Sequence, residues 1–256
     1  MRRAVAAIAT IALALASAGC SDEDESTASS GGGKPRLVVS AASSMSEALQ
    51  ACGPEFKDAT VRLQFAGSDE LAAQIRQGVK PDVYAAANTT LPEELHAEGL
   101  LSKPVEFATN EFVLAVPTGS HIRSIHDLTA DDLKIAIGAE DVPIGSYTRE
   151  TLARLPAEQE RAILDNVRSN EPDVKGIVGK LTQGAVDAGF VYASDVKSAG
   201  GELRAIELPA RLQPTATYGA GVVAAARQPD AAEAYIDGLL AGPCHDALLA
   251  AGFGEP

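Results

Sequence analysis

Two periods of apolar and polar residues alternate along the chain from Arg36 onward. The run 36–41 (RLVVSA) is short and rich in strand-forming residues, whereas over 45–56 apolar residues recur every three or four positions. The first pattern is typical of a buried strand and the second of an amphipathic helix. Because the two patterns keep alternating, the sequence predicts an α/β fold built from parallel βα units with right-handed crossovers.

The same patterns predict the remaining elements. Strands are expected at 36–41, 61–65, 82–87, 112–117, 134–138, 189–192, 203–208 and 216–226. Helices are expected over 45–56, around 71–75, over 90–99, near 147–155 and 175–183, over 230–240 and from residue 243. In the third of these helices, Thr90 to Glu93 fit a capping box with Pro92 in the first turn.

The chain is long enough for two lobes, and the pattern predicts where it passes between them. It leaves the first lobe near 112–118 and returns near 214–221, which gives a first lobe of 36–114 with 219–256 and a second lobe of 115–218. The two crossing segments would act as a hinge, with a ligand cleft between the lobes. The predicted architecture is a two-lobe α/β fold.

The N-terminal segment predicts export. An uncharged apolar run over 4–18 follows a cationic start, and about 15 residues are fewer than the roughly 20 that span a bilayer, so 1–19 is predicted to be a signal peptide. Small residues before Cys20 resemble a bacterial lipobox, although Ser17 stands where leucine is usual. Lipidation of Cys20 is expected, with ordinary signal cleavage as the alternative. The segment 20–35 is predicted to be a flexible tether that holds the protein at the outer face of the cell membrane.

Composition excludes several classes of partner. The chain has 35 acidic and 21 basic residues, a net charge of −14, and 4% aromatic residues. An acidic chain without a basic stripe or aromatic platform is not expected to bind nucleic acid. Three cysteines are too few for a disulfide scaffold or a cysteine-rich zinc module.

Candidate chemistry lies in four loops where a predicted strand ends and a helix begins. They contain Ser44, Ser68, the turn 142–145 and the turn 172–175. Both serines are predicted N-caps. Helix N-termini carry unsatisfied N–H groups and a positive dipole end, and parallel α/β sheets gather them at one edge. Several of them together would bind an ionised oxyanion, which has hydrogen-bond acceptors and no donors.

These loops also carry a family resemblance. The stretches SAASSMSEALQ, FAGSDELAAQI, GAEDVPIGSY, EPDVKGIV and GFVYASD occur in this order between Arg36 and Phe253. The series resembles the periplasmic molybdate-binding proteins of ABC importers, which have a type II periplasmic-binding fold. The resemblance implies a monomeric binding protein that takes molybdate or tungstate, uses no cofactor and delivers its ligand to an ABC transporter permease.

The resemblance also implies which residues bind the oxyanion. Hydroxyl donors fall on Ser44 and Ser68, backbone N–H donors fall on Ile144 and Val174, and a tyrosine hydroxyl falls on Tyr192. No residue is expected to ligate a metal cation directly, since these residues would hold the oxygens of the anion.

Some alternatives remain open from the sequence. Asp69 and Glu70 follow Ser68 directly; we expect both to face solvent, whereas a carboxylate facing the ligand would favour a protonated anion such as hydrogen phosphate. Sulfate is another alternative ligand, and a ligand-sensing lobe pair for a receptor is an alternative role. An enzyme is not expected, because the common catalytic motifs are absent. His121 and His126 near several aspartates are interpreted as solvated surface rather than a metal cluster.

Cys52 and Cys244 each lie on the apolar stripe of a predicted helix. A buried pair of thiols and a disulfide are both compatible with that placement. An oxidising exported compartment favours the disulfide, which would tie the last helix to the first lobe.

Overall fold

Two five-stranded sheets form the framework of the protein, in a computed structural model that describes residues 34–256. The predicted signal peptide, Cys20 and nearly all of the predicted tether lie outside the described residues. No helix in the described part of the chain is long and apolar enough to cross a membrane.

The strands follow one another in the chain as β1 (Arg36–Ala42), β2 (Thr60–Ala66), β3 (Val83–Ala86), β4 (Val105–Asn110), β5 (Phe112–Pro117), β6 (Ile135–Gly138), β7 (Val167–Glu171), β8 (Ala188–Tyr192), β9 (Leu203–Glu207) and β10 (Ala216–Val222). The helices are α1 (Ser46–Cys52), α2 (Ser68–Arg76), α3 (Thr90–Ala97), α4 (Pro143–Ala153), α5 (Ala157–Asp165), α6 (Val174–Thr182), α7 (Ala193–Ser198), α8 (Pro229–Leu240) and α9 (Pro243–Ala251). Short 3-10 turns cover Ser43–Met45, Gly53–Glu55, Ile125–Thr129 and Ala210–Leu212.

Each sheet combines parallel βα units with one antiparallel strand, which lies next to the central strand. The first sheet has the order β2-β1-β3-β10-β4 and the second the order β7-β6-β8-β5-β9. β1 pairs parallel with β2 and β3, and β6 pairs parallel with β7 and β8. β10 and β5 run antiparallel to both of their neighbours. We call the first sheet with α1–α3, α8 and α9 the first lobe, and the second sheet with α4–α7 the second lobe.

The chain passes between the sheets twice. It crosses at Glu111, between β4 and β5, and returns over 213–215, just before β10. Both crossings precede the predicted lobe boundaries at 114/115 and 218/219, because Phe112 already pairs with Tyr192 in the second sheet and Ala216 already pairs with Asn110 in the first. The apolar pattern does not change where the chain moves from one sheet to the other, so the predicted boundaries came too late in the sequence.

Two of the elements that the pattern did not predict, β7 and α5, are mostly polar and lie at the surface. β7 (VRSNE) is an edge strand, and its residues are half-buried or exposed. α5 buries only Ile163 in its sequence AEQERAILD, so its apolar stripe is weak. The predicted capping box is wrong: α3 begins at Thr90 itself, and the Asn88 side chain accepts the Leu91 N–H at 3.2 Å instead.

A disulfide joins the two ends of the first lobe. Cys52 ends α1 and Cys244 lies in the first turn of α9, and their Cα atoms are 5.0 Å apart. Of the two arrangements left open by the sequence, the structure has the bridge rather than a pair of thiols. It ties the last helix of the chain to the helix that follows the Ser43–Met45 turn.

Candidate functional site

Four helical segments begin around one small cavity between the lobes. The first lobe contributes the Ser43–Met45 turn and the start of α2, and the second lobe contributes the starts of α4 and α6. The cavity is lined by Ala42, Ser43, Ser44, Ala66, Gly67, Ser68, Ala87, Val142, Pro143, Ile144, Asp173, Val174 and Tyr192. The centre of a water-sized sphere can move within about 10 Å³, which is about the space that one water molecule needs, so the cavity in this arrangement has no room for a sugar or an amino acid.

All five residues that the sequence analysis singled out line this cavity. Ser44 and Ser68 approach from the first lobe, and Ile144, Val174 and Tyr192 from the second. The structure therefore brings together residues that are up to 148 positions apart (192 − 44), although their role toward a ligand stays a prediction.

The prediction that Ser44 and Ser68 are N-caps is wrong. Ser68 is the first residue of α2, whose N-cap is Gly67, and Ser44 lies inside a 3-10 turn whose N-cap is Ala42. Neither segment has a side-chain hydrogen bond at its cap. Neither hydroxyl therefore caps its helix, which is the usual role of a serine at a helix start.

The environment of Ser68 leaves its hydroxyl proton available for a ligand. The Ala87 backbone N–H donates to Ser68 Oγ at 3.0 Å, and Tyr84 Oη donates to the Ser68 carbonyl at 2.8 Å. Because a backbone N–H can only donate, Ser68 Oγ must accept that bond. Its own proton is left to bind another acceptor, and the cavity is where Ser68 can meet one.

Tyr192 carries the clearest unmet hydrogen-bonding group. The residue is 1% exposed, and its Oη has no hydrogen-bond partner among the described residues. Burial raises the pKa of the Tyr192 hydroxyl well above its ordinary value, so the group keeps its proton. An unpaired buried hydroxyl costs about 1–3 kcal/mol, which a ligand oxygen in the cavity would recover.

The second lobe supplies backbone donors at two helix starts. Ile144 and Val174 lie in the first turns of α4 and α6, where N–H groups have no partner inside the helix. Asp173 also lines the cavity, and its Oδ1 accepts the Gly176 N–H at 3.0 Å as the N-cap of α6. Pro143 has no N–H, so Ile144 is the first residue of α4 that can donate.

Among the residues that line the described cavity, Asp173 is charged, and the other charged groups near the site lie behind the lining. Lys, Arg and His are absent from the residues that line the described cavity. Asp195 is fully buried, accepts the Tyr192 backbone N–H at 3.2 Å and lies 3.1 Å from Lys175 Nζ. Burial raises the pKa of Asp195 to about 6, against the lowering effect of Lys175. Lys175 also pairs with Glu47 of the first lobe at 2.8 Å, which joins the lobes beside the cavity.

The two acidic residues after Ser68 do not line the cavity. Glu70 is exposed and accepts a bond from Gln74 Nε2 at 3.1 Å. Asp69 is half-buried and lines a wider neighbouring groove with Asp141, and burial raises the pKa of Asp69. The expectation that both face solvent is confirmed for Glu70 and wrong for Asp69, whose Oδ1 is buried without a hydrogen-bond partner among the described residues.

Two histidines and one glycine outside the cavity have surface or packing roles. His121 and His126 are exposed, and His126 Nδ1 contacts Gln159 Oε1 at 3.0 Å. Within 34–256 no three His, Cys, Asp or Glu side chains gather as a metal site. Gly221 lies in β10, where an added Cβ would meet Leu101 Cγ at 2.7 Å, so close packing explains this glycine.

Sequence reasoning missed the polar residues directly behind the lining. Tyr218 Oη lies 2.9 Å from Ser44 Oγ, and Asn110 Nδ2 lies 3.5 Å from Tyr218 Oη. Both residues lie on strands, β10 and β4, whose residues the pattern marks only as core or connector. The sequence marks them only by their position, since both lie next to a segment where the chain passes between the lobes.

Comparison with protein families and relatives agrees with this geometry. A family model described as "Bacterial extracellular solute-binding protein" matches residues 37–254. The molybdate-binding protein ModA of Mycobacterium tuberculosis is 33% identical over 231 residues, which cover 88% of this chain and 86% of that protein. A putative ABC transporter substrate-binding lipoprotein of Bacillus subtilis, YvgL, is 34% identical over 200 residues, 73% of this chain and 74% of that protein.

Solved structures show the same fold. The substrate-binding domain of a putative molybdenum ABC transporter from Clostridium difficile superposes with a TM-score of 0.66 and 27% identity, covering 87% of this chain and all of that one (100%). The periplasmic molybdate-binding protein of Azotobacter vinelandii gives a TM-score of 0.76 at 19% identity, covering 86% of this chain and 99% of that one, a likeness that concerns the fold alone.

Proposed function

Since the chain belongs to the family of bacterial extracellular solute-binding proteins, we propose that its solute is molybdate, which it delivers to an ABC transporter permease. Family membership confirms the resemblance found in the motifs, the two-lobe α/β fold, the extracytoplasmic placement and the prediction of a binding protein rather than an enzyme. Relatives whose names specify molybdate support the choice of ion.

The buried Tyr192 hydroxyl without a partner is the observation that carries this proposal. The same lining holds the hydroxyls of Ser68 and Ser44 and the first-turn N–H groups of Ile144 and Val174. Its one carboxylate, Asp173, caps α6. Molybdate is a tetrahedral dianion with acceptors only, so each oxygen can be satisfied by one of these donors. Helix dipoles add positive potential without a cation.

Selectivity follows from the same lining. A ligand that must donate a proton, such as hydrogen phosphate, would leave its own donor and one protein donor unpaired. Tungstate has the same charge and nearly the same size as molybdate, and we propose that it binds as well. The lobes close on the ion, and the closed form is what the permease recognises.

The protein acts at the outer face of the cell membrane. We propose that Cys20 carries the lipid anchor, that the acidic segment after it is the tether, and that the protein works as a monomer. The lipoprotein named among its relatives supports the anchor.

Calorimetric titration with molybdate, tungstate, sulfate and phosphate tests the proposed function. Tight binding of the first two and no binding of the last two is expected. Sulfate or phosphate binding in place of molybdate would make the protein a carrier of another oxyanion. If none of the four anions binds, the receptor-sensing role is favoured.

Tyr192→Phe should weaken molybdate binding by about 10- to 100-fold, the effect of losing one hydrogen bond to a charged group. The same change should leave the ligand-free protein as stable as wild type or more stable, because it removes an unpaired buried hydroxyl. Calorimetry and thermal unfolding measure the two effects. Unchanged affinity would remove Tyr192 from the site, and Tyr84→Phe, which breaks the bond to the Ser68 carbonyl, should instead lower stability.

Val174→Pro tests a backbone donor. Val174 is the first residue of α6, and Asp173 before it has extended dihedral angles, so proline fits there without breaking the helix. The substitution deletes the N–H and should weaken molybdate binding by about 10-fold or more. Val174→Ala, which shortens the side chain and keeps the N–H, is the control. Equal affinities for the two variants would show that the Val174 N–H does not bind the ion.

A further inference from the structure

The two serine hydroxyls of the cavity have partners of different kinds. Ser68 Oγ accepts from a backbone N–H, which can only donate, so the Ser68 proton is left for another acceptor. Ser44 Oγ instead lies 2.9 Å from Tyr218 Oη, and either hydroxyl of this buried pair can be the donor. If Ser44 donated to Tyr218, it would offer a lone pair rather than a proton to the ligand.

Asn110 decides the direction. Its Nδ2 lies 2.8 Å from Ser194 Oγ and 3.5 Å from Tyr218 Oη, and an amide nitrogen can only donate. Tyr218 Oη therefore accepts from Asn110, and Ser44 Oγ, at 2.9 Å, is the acceptor we assign to its own proton. The Ser44 proton is then left for the cavity, so that each donor in this buried chain orients the next.

We propose that Tyr218 is a positioning residue that sets anion specificity: held by Asn110, it donates to Ser44 Oγ and leaves the Ser44 proton for the ligand. This inference rests on the proposed function and adds a residue that does not itself line the cavity. A fully ionised anion accepts the Ser44 proton. A protonated anion that turned its own O–H toward Ser44 would bring two donors together and lose a hydrogen bond.

The Tyr218 ring has a separate packing role. It makes edge-to-face contacts with Tyr192, Phe107 and Phe253, at centroid distances of 5.9, 6.2 and 5.3 Å. Tyr218→Phe keeps the ring and deletes only Oη, so it separates positioning from packing. Tyr235→Phe is the matched control, because Tyr235 is equally buried and lies outside the site. Its Oη has no hydrogen-bond partner among the residues that the structure describes.

A double-mutant cycle with sodium molybdate measures whether Tyr218 acts through Ser44. Tyr218→Phe alone should weaken binding by about 3- to 10-fold, the effect of one neutral hydrogen bond. In a Ser44→Ala background the same change should have no further effect, whereas in a Ser68→Ala background its effect should persist in full. Equal losses in all three backgrounds would show a merely structural role and overturn the proposal.

Competition by inorganic phosphate provides a readout that packing would not change. At pH 7, the ratio of phosphate to molybdate dissociation constants should fall about 10-fold or more in Tyr218→Phe, because the freed Ser44 hydroxyl can accept from a P–OH group. Tyr235→Phe should keep the wild-type ratio. Should Tyr218→Phe fold poorly, Asn110→Ala is the second variant, since it frees Tyr218 to turn and should lower the ratio in the same direction.

The outcomes distinguish this inference from the function it rests on. A wild-type protein that binds neither anion overturns the proposed function and the positioning role with it. A wild-type protein that binds molybdate, with an unchanged selectivity ratio in Tyr218→Phe and Asn110→Ala, overturns only the positioning role.

Discussion

Gly67→Ala is expected to weaken molybdate binding by about 100-fold or more, the effect of losing at least two hydrogen bonds to a charged ligand. Gly67 precedes α2 in the first lobe, and a Cβ there would lie 2.5 Å from the Pro172 carbonyl oxygen of the second lobe. Cβ atoms do not approach a backbone oxygen this closely, so the lobes would have to separate. The donors at Ile144, Val174 and Tyr192 would then move away from an ion held by the first lobe.

The effect on stability should be opposite or absent. Gly67 has φ −59°, which alanine adopts without strain, and alanine reduces the conformational entropy of the unfolded chain. Gly238→Ala is the control, because a Cβ at Gly238 in α8 meets nothing within 4 Å. Calorimetry of both variants measures molybdate affinity, which depends on lobe closure, and urea unfolding measures the free energy of unfolding. Wild-type affinity in Gly67→Ala would contradict the view that close approach of the two lobes is needed to hold the ion.

Removing the disulfide with Cys52→Ala and Cys244→Ala together is expected to lower the free energy of unfolding by about 2–5 kcal/mol. The bridge closes a loop with a sequence separation of 192, so it restricts the unfolded chain strongly. Both sulfurs are buried between α1 and α9, and alanine leaves only a small apolar gap there. The native contacts around the cavity do not include either cysteine.

Urea unfolding with and without a reductant measures this contribution. Reductant should shift the midpoint of the wild-type protein and leave that of the double variant unchanged, while molybdate affinity in native buffer stays within about 3-fold of wild type. Equal midpoints for the oxidised wild type and the double variant would show that the bridge adds no stability.

The strongly patterned part of the fold was predictable from the sequence. Strand 112–117 was predicted with its observed bounds, and β1 and β6 within a residue, since continuous apolar runs mark buried strands. The antiparallel placement of β10 between β3 and β4 was not predictable, because strand order depends on contacts between distant segments. The polar edge strand β7 and the surface helix α5 lack the apolar period on which the prediction depends.

The candidate site was also predictable from the sequence only in part. The five residues that line the cavity lie in local motifs, so a resemblance between motifs was enough to find them. Tyr218 and Asn110 act from behind the lining, and their link to Ser44 exists only in three dimensions. The N-cap prediction failed because a serine one position inside a helix has the same sequence surroundings as a capping serine.

Anomalous scattering from a crystal soaked in molybdate tests most directly the claim that the small cavity binds this ion. The account predicts a molybdenum peak in the small cavity, with oxygens about 2.7–3.2 Å from Ser44 Oγ, Ser68 Oγ, Tyr192 Oη and the backbone nitrogens of Ile144 and Val174. A peak elsewhere in the protein, or an empty cavity at saturating molybdate, would contradict it.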